Sequence, residues 1–195
     1  MFSIKENVNN EIVINKSRFI TELIKINNED EIINILNNIK KKYPNATHYC
    51  YAYICGSKRK CSDDGEPRGT AGIPILNVLE KHNLNNILCV VIRYFGGIKL
   101  GANGLVRAYS KSVSSLIESI DIVELVEGYE ITLKFDYNAT KSIDYLLKEY
   151  KIIKKEYSAT ITYIFEISKK DYEIISNQIK DYEINKKNII INKYE

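Results

Sequence analysis

The sequence predicts an α+β protein of two domains, a mixed α/β domain over residues 1–127 and a β-α-β-β-α-β domain over residues 128–195. Three observations carry this. Apolar residues recur with helical spacing in some segments and alternate in others, the two periods interleaving along the chain. Eight of the nine glycines fall between residues 56 and 104. Beyond the ninth, Gly128, the remaining 67 residues hold no Gly, Pro, Cys or Arg, a change of composition that marks a boundary near 125–130. The 195 residues suffice for one large domain or two small ones.

In the first domain, residues 18–26 read as a strand. Residues 29–42 read as a helix, because Ile32, Ile35, Leu36, Ile39 and Tyr43 keep the i, i+3, i+4, i+7 spacing. Asn28 is placed to cap it with Glu31 three residues on, Lys40, Lys41 and Lys42 complement its C-terminal dipole, and Pro44 ends it. Residues 48–55 alternate as a strand, with Tyr49, Tyr51 and Tyr53 on one face and His48, Cys50, Ala52 and Ile54 on the other. The tyrosine row would either stack bases or lie under a helix with its hydroxyls at the edge. Residues 70–82 form a helix with Thr70 as its N-cap, 87–93 a buried strand, and 104–120 a long helix whose inner face includes Leu105, Ala108, Tyr109, Val113 and Leu116.

The second domain reads as strand 129–136, helix 139–150, strands 152–158 and 160–167, helix 170–182 and strand 186–192. This is the ferredoxin-like split arrangement. It holds no cluster of reactive groups and reads as a recognition module.

Composition excludes several classes. Apolar residues are 45 % of the chain, enough for a core. No apolar run approaches the length of a membrane span, and the first residues lack the layout of a signal peptide, so the expected address is the cytoplasm with no membrane partner. The net charge of +3 is small for a protein held on nucleic acid by charge alone, and no signal specific to DNA occurs. Ile, Asn and Lys total 76 residues, which reduces their value as signals, whereas Arg occurs only at 18, 59, 68, 93 and 107. An Arg where Lys is the common cation points to a need for a planar, multi-donor head. The cysteines at 50, 55, 61 and 89 form no Cys-x-x-Cys pair and read as small buried or half-buried residues.

Two segments can carry chemistry. Residues 61–76 place Asp63, Asp64 and Glu66 in a loop rich in Gly and Pro. Such hard oxygen ligands could hold Mg²⁺ or Ca²⁺. The calcium-loop template fails, because no carboxylate follows Glu66 until Glu80. The alternative is that Asp63 and Asp64 cap turns and Glu66 pairs with Arg68 or another arginine. Residues 93–109 run from a buried strand through a glycine-rich loop into a helix, a geometry that aims backbone N–H groups at an anion. Arg107 lies in the expected first turn, with Arg93 and Lys99 flanking it. For a P-loop, Gly96 and Gly101 are correctly separated, but Ala102-Asn103 replaces Lys-Ser/Thr; for a dinucleotide loop, Asn103 replaces the second Gly. The alternative role for these glycines is tight turns and close packing against the acidic loop.

Catalytic constellations are otherwise thin. His82 ends a helix as a dipole partner. His48 and Cys50 are two residues apart on a strand, about 6.6 Å, too far for a direct hydrogen bond.

These segments resemble a known family. Asp63-Asp64-Gly65-Glu66-Pro67-x-Gly69-Thr70-Ala71-Gly72-x-Pro74-Ile75-Leu76, then Arg93-Tyr94-Phe95-Gly96-Gly97-x-Lys99-Leu100-Gly101 and Gly104-Leu105-x-Arg107-Ala108-Tyr109, are similar to the IMPACT/YigZ signature. Lys16-Ser17-Arg18-Phe19-Ile20 and Ala46-Thr47-His48-x-Cys50-Tyr51-Ala52-Tyr53 also match its N-terminal domain. Asn103 departs from the Gly of many members, but Asn tolerates positive φ. The resemblance implies an N-terminal domain similar to domain IV of elongation factor G and its ribosomal-protein relatives, and a C-terminal domain similar to domain V of that factor. Eukaryotic members are translational regulators that bind the activator of the amino-acid starvation kinase and keep that kinase quiet.

The expectation is therefore a non-enzymatic cytosolic protein linked to translation, binding RNA, the ribosome or a regulatory protein through the two loops. The acidic loop contributes Asp63, Asp64, Glu66, Arg68 and Thr70. The glycine loop contributes Arg93, Tyr94, Gly96, Gly97, Lys99, Asn103, Gly104 and Arg107. No catalytic residue, resident metal or cofactor is assigned. The rival expectation is a metal-assisted enzyme acting on a phosphorylated small molecule, with the three carboxylates on Mg²⁺ and the glycine loop on phosphate. Both readings require the two loops to share one outward-facing wall of opposite charges.

Overall fold

The computed structural model describes residues 1–193, and the chain forms two compact units, Met1–Val123 and the part from Glu124 onward. Composition changes at Gly128, whereas the units divide at Val123, within a strand that begins at Ile122.

The first unit runs β1 (Phe2–Ile4), β2 (Val8–Ile14), β3 (Ser17–Lys25), α1 (Glu31–Lys42), β4 (His48–Cys55), β5 (Lys58–Ser62), α2 (Gly72–Lys81), β6 (Ile87–Tyr94) and α3 (Gly101–Ile117). Strands β2-β3-β6-β4-β5 form one antiparallel sheet. β6 lies at its centre and is buried on both faces, which explains its unbroken apolar run. Ile87, Cys89 and Val91 face one core with Phe19, Leu23, Cys50, Ala52 and residues of α2 and α3; Leu88, Val90 and Ile92 face another under α1. Tyr49, Tyr51 and Tyr53 lie on the α1 side. The Tyr53 hydroxyl donates to Glu29 and that of Tyr49 to the Tyr43 carbonyl. The row is a packing surface, as one of the two expectations had it.

The second unit runs β7 (Ile122–Phe135), a 3₁₀ turn at Tyr137–Ala139, α4 (Thr140–Leu146), β8 (Lys151–Tyr157), β9 (Ile161–Ser168), α5 (Lys169–Ile179) and β10 (Glu183–Asn192). The strand order β10-β7-β9-β8 with antiparallel neighbours is the ferredoxin-like order. Ile131, Leu133 and Phe135 of β7 alternate inward onto Ile143, Ile175 and Ile179 of the helices. Gly128 is required where β7 passes between its neighbours, because a Cβ there would sit 2.5 Å from the Ile167 carbonyl oxygen.

Several boundaries differ from expectation for identifiable reasons. α1 begins at Glu31 rather than 29: Asn28 accepts from the Asp30 amide and Glu31 from the Asn27 amide, so the expected pair holds the turn before the helix. α3 begins at Gly101 rather than 104, which moves Arg107 into the second turn. Strands β1, β2 and β5 were not expected. β2 and β5 are edge strands rich in Asn, Glu, Lys and Arg, held by their single neighbours rather than by propensity.

Candidate functional site

Both loops emerge at one end of the first sheet. His48, at the start of β4, pairs with Arg93, at the end of β6, and the residues before α2 and α3 gather beyond them.

The acidic loop turns inward. Asp63 accepts three backbone N–H groups: Gly69 on Oδ2 at 2.8 Å, and Ala71 and Gly72 on Oδ1 at 3.1 and 2.8 Å. It therefore caps the start of α2 from nine residues upstream of Gly72, a role the sequence assigned to Thr70. Thr70 instead donates its hydroxyl to the Pro67 carbonyl at 2.6 Å, and α2 starts at Gly72. Burial pushes the Asp63 carboxyl up, but the amides of Gly69, Gly72 and Ala71 and the nearby Arg68 outweigh it and hold the group below the usual carboxylate range. Asp64, at φ 41°, accepts the Tyr49 amide at 2.6 Å, and its carbonyl receives the His48 Nδ1–H at 2.9 Å.

Glu66 is 8 % exposed and Arg93 5 %. Glu66 Oε1 accepts from Arg93 Nη1 at 2.5 Å and from the Tyr109 hydroxyl at 2.9 Å. His48 Nε2 stands 3.8 Å from Oε2. The Cys50 thiol lies 2.9 Å from the Asp63 carbonyl oxygen and 3.3 Å from the Tyr109 oxygen. Burial pushes that thiol up to about 12, with the Tyr109 hydrogen bond opposing. Burial also pushes the Tyr109 phenol far up. The expected pairing of Glu66 with an arginine is present, and the arginine is Arg93 rather than Arg68.

This corrects the expected wall of opposite charges. The loops do meet, but they meet through charges that neutralise one another inside the protein. Arg93 is not available to a phosphate, and Asp63 and Glu66 are not available to a metal. Among the described residues no group of three or more His, Cys, Asp or Glu is placed to hold a metal ion. The metal-assisted reading required carboxylates facing an open cleft, and their engagement with backbone amides and Arg93 removes its basis.

What remains outside is mostly cationic and apolar, with Asp64 the exposed acid of the loop. Arg68, Lys99, Asn103 and Arg107 are exposed. No ion pair to Arg68, Lys99 or Arg107 is formed among the described residues. Phe95 is 47 % exposed, and Ile73, Ile98 and Val106 also present apolar surface. Tyr94 is half-buried, donates to the Pro44 carbonyl at 3.1 Å, and has the Arg18 guanidinium over its ring. Asn103 lies within α3 and needs no positive φ; Gly97 and Gly101 take that conformation, at 86° and 70°. Gly104 is also helical, where a Cβ would stand 3.0 Å from Leu100 Cβ. Gly96 is there for space, because a Cβ would lie 2.0 Å from the Lys16 carbonyl carbon and oxygen. That contact brings the Asn15-Lys16 turn of the β2–β3 hairpin against the glycine loop. The sequence reading missed Phe95 and Lys16 as surface groups, although an aromatic residue between a buried strand and a Gly-Gly pair was a usable signal.

The outer face of the second sheet offers no comparable platform. Its cross-strand rows are Glu183-Lys134-Thr162-Glu156, Asn185-Thr132-Ile164-Lys154 and Lys187-Glu130-Glu166-Lys151, without an aromatic side chain. No helix among the described residues is long and apolar enough to cross a membrane.

Comparison with known proteins places these loops in a family context. The model of the Impact N-terminal domain matches residues 15–117, the segment that holds both loops. The IMPACT family member YvyE of Bacillus subtilis (strain 168) is 43 % identical over 180 residues, covering 90 % of this chain and 83 % of that protein. An IMPACT family member of Haemophilus influenzae is 37 % identical over 175 residues, 86 % of this chain and 85 % of that protein. A crystal structure described only as that of a hypothetical protein superposes with a TM-score of 0.66 at 30 % identity, covering 94 % of this chain and 95 % of the other.

Proposed function

The chain belongs to the IMPACT family, and from that premise we propose that it is a non-enzymatic cytosolic binding protein linked to translation, contacting RNA, the ribosome or a regulatory protein. The translational link rests on the role of the family's eukaryotic members as regulators of translation. The observation that carries the binding role is the uneven use of charge at the loop end of the first unit. Asp63 and Glu66 are spent on Ala71, Gly72, Gly69 and Arg93 inside the protein, while Lys99 and Arg107 stay exposed outside it. From Arg93 to Ile117 the chain carries Arg93, Lys99, Arg107 and Lys111 and no acidic residue. A surface so arranged favours an anionic partner.

The non-enzymatic part rests on the same geometry. Asp63 and Asp64 are hydrogen-bonded to backbone amides and Glu66 to Arg93 and Tyr109, Cys50 is a buried thiol held protonated, and His48 has its Nδ1 on a carbonyl. The test is affinity capture from native lysate with the wild-type chain and Arg107→Ala side by side. Ribosomal material or one protein retained by the wild type and lost with Arg107→Ala is the expected result. Identical capture by both chains counts against the loop surface.

A further inference from the structure

We propose that the exposed ring of Phe95 is a stacking platform for a base of single-stranded RNA, with the cations of the flanking segments meeting its phosphates. This rests on the binding role proposed above and assigns it a chemistry. The ring sits where β6 leaves the sheet, and its mounting is fixed. The Phe95 amide donates to the Thr47 hydroxyl at 2.9 Å and the Gly96 amide to the Ser17 hydroxyl at 3.2 Å. The Arg93 guanidinium lies 5.6 Å from the ring centroid and is itself held by Glu66. A cation over an aromatic ring is a favourable pairing. It also ties the ring to the buried network, so little freedom is left to lose when a second planar group lands on the exposed part.

The charges around the ring select the occupant. Lys16 abuts Gly96 through its backbone and is exposed. Lys99 is four residues beyond Phe95, and Arg107 follows on the second turn of α3. Of the acids of the neighbouring loop, Asp63 and Glu66 point inward, and Asp64, which is exposed, has its carboxylate on the Tyr49 amide rather than on any of these cations. An exposed aromatic ring among uncompensated cations is the combination that binds single strands, in which bases stack on rings and phosphates meet Lys and Arg. A duplex hides its bases from such a ring. The outer face of the second sheet, the other surface on which bases are read in folds of this kind, lacks the aromatic side chains.

The chain has no tryptophan, so Phe95→Trp creates a single reporter at the platform. Fluorescence anisotropy and Trp emission are read against a 12-nucleotide oligouridine, the matching oligothymidine and an RNA duplex at about 50 mM salt, a regime in which phosphate contacts are strong. The expected result is that wild type and Phe95→Trp bind oligouridine and the Trp emission is quenched on saturation. Phe95→Ala and Phe95→Leu should each weaken binding about tenfold, a typical loss for one stacked base. Lys99→Ala should keep the quenching of Phe95→Trp but reduce the salt slope by about 0.7, one phosphate of a single strand. Comparable binding of oligothymidine would assign the platform to single strands of either sugar, which upholds the stacking. Unchanged binding by Phe95→Ala and Phe95→Leu, unchanged Trp emission, or duplex bound as tightly as the single strand overturns the platform while leaving RNA binding intact. No binding of any strand by the wild type overturns the RNA reading altogether, and leaves a protein as the partner class.

Discussion

The Glu66 carboxylate and the Arg93 guanidinium form a buried pair at 2.5 Å that fastens the loop before α2 to the end of β6. Tyr109 of α3 donates to the same carboxylate oxygen, so one acidic residue joins three segments. Removing it leaves a cation in the interior with no counter-charge. Glu66→Ala is expected to destabilise the first unit by about 3–5 kcal/mol, the range for breaking a buried pair from one side. Replacing both partners by apolar residues, as in Glu66→Leu with Arg93→Met, should cost less than the single change. Denaturation midpoints of the three chains measure this, and a single change as mild as the double would contradict the buried-charge account.

Asp63 should make stability depend on pH in a defined direction. Its folded pKa lies below the ordinary value, so its contribution is complete above the unfolded pKa of about 3.9 and fades as pH falls through the lower folded value. Asp63→Asn keeps one acceptor oxygen for amides that now use two, and should cost roughly 1–3 kcal/mol at pH 7. The gap between the two chains should narrow on acidification. Thermal melts between pH 7 and 3 provide the check.

Gly96 and Gly97 are adjacent but are required for different reasons. Gly96→Ala drives a Cβ into the Lys16 backbone and should cost about 3 kcal/mol, since neither chain segment can yield without moving the β2–β3 turn. Gly97→Ala meets nothing within 4 Å and suffers only from its φ of 86°, about 1–2 kcal/mol. Equal losses in chemical denaturation would rule out this distinction.

The four thiols should divide into two classes. Cys50 is held near 12 by burial, and Cys89 is fully enclosed and also pushed up. Cys55 and Cys61 are half-buried, and burial pushes their thiols up as well, though less far, so access rather than acidity separates the classes. At pH 8 iodoacetamide should add to Cys55 and Cys61 on the folded chain and to Cys50 and Cys89 only after denaturant is added. Intact-mass analysis follows the adducts.

Much of the fold could be read from periodicity because the core obeys it. β6 is apolar from Ile87 to Ile92 since both its faces are covered, and β7 and β9 alternate since only one of theirs is. What escaped was decided by distant partners. β2 and β5 are strands because β3 and β4 offer them hydrogen bonds, and nothing in Val8–Ile14 or Lys58–Ser62 announces it. Thr70 looked like a cap by local rules, and a carboxylate seven residues earlier took the position. The loop residues were legible as special, but their direction was not. Spacing shows that Asp63, Glu66 and Arg93 are unusual, whereas only the fold shows that Glu66 and Arg93 face each other, and Asp63 the amides before α2, rather than solvent.

The order β2-β3-β6-β4-β5 sets a timetable for the nascent chain. The strand that occupies the middle is the last of the five to be synthesised. Until Tyr94 has left the exit tunnel, two hairpins wait with their inner borders open and no means of joining. Closure of the first sheet is therefore a late event for a unit whose polypeptide began almost a hundred residues earlier, and the interval is a window in which a chaperone would find unsheltered strand borders.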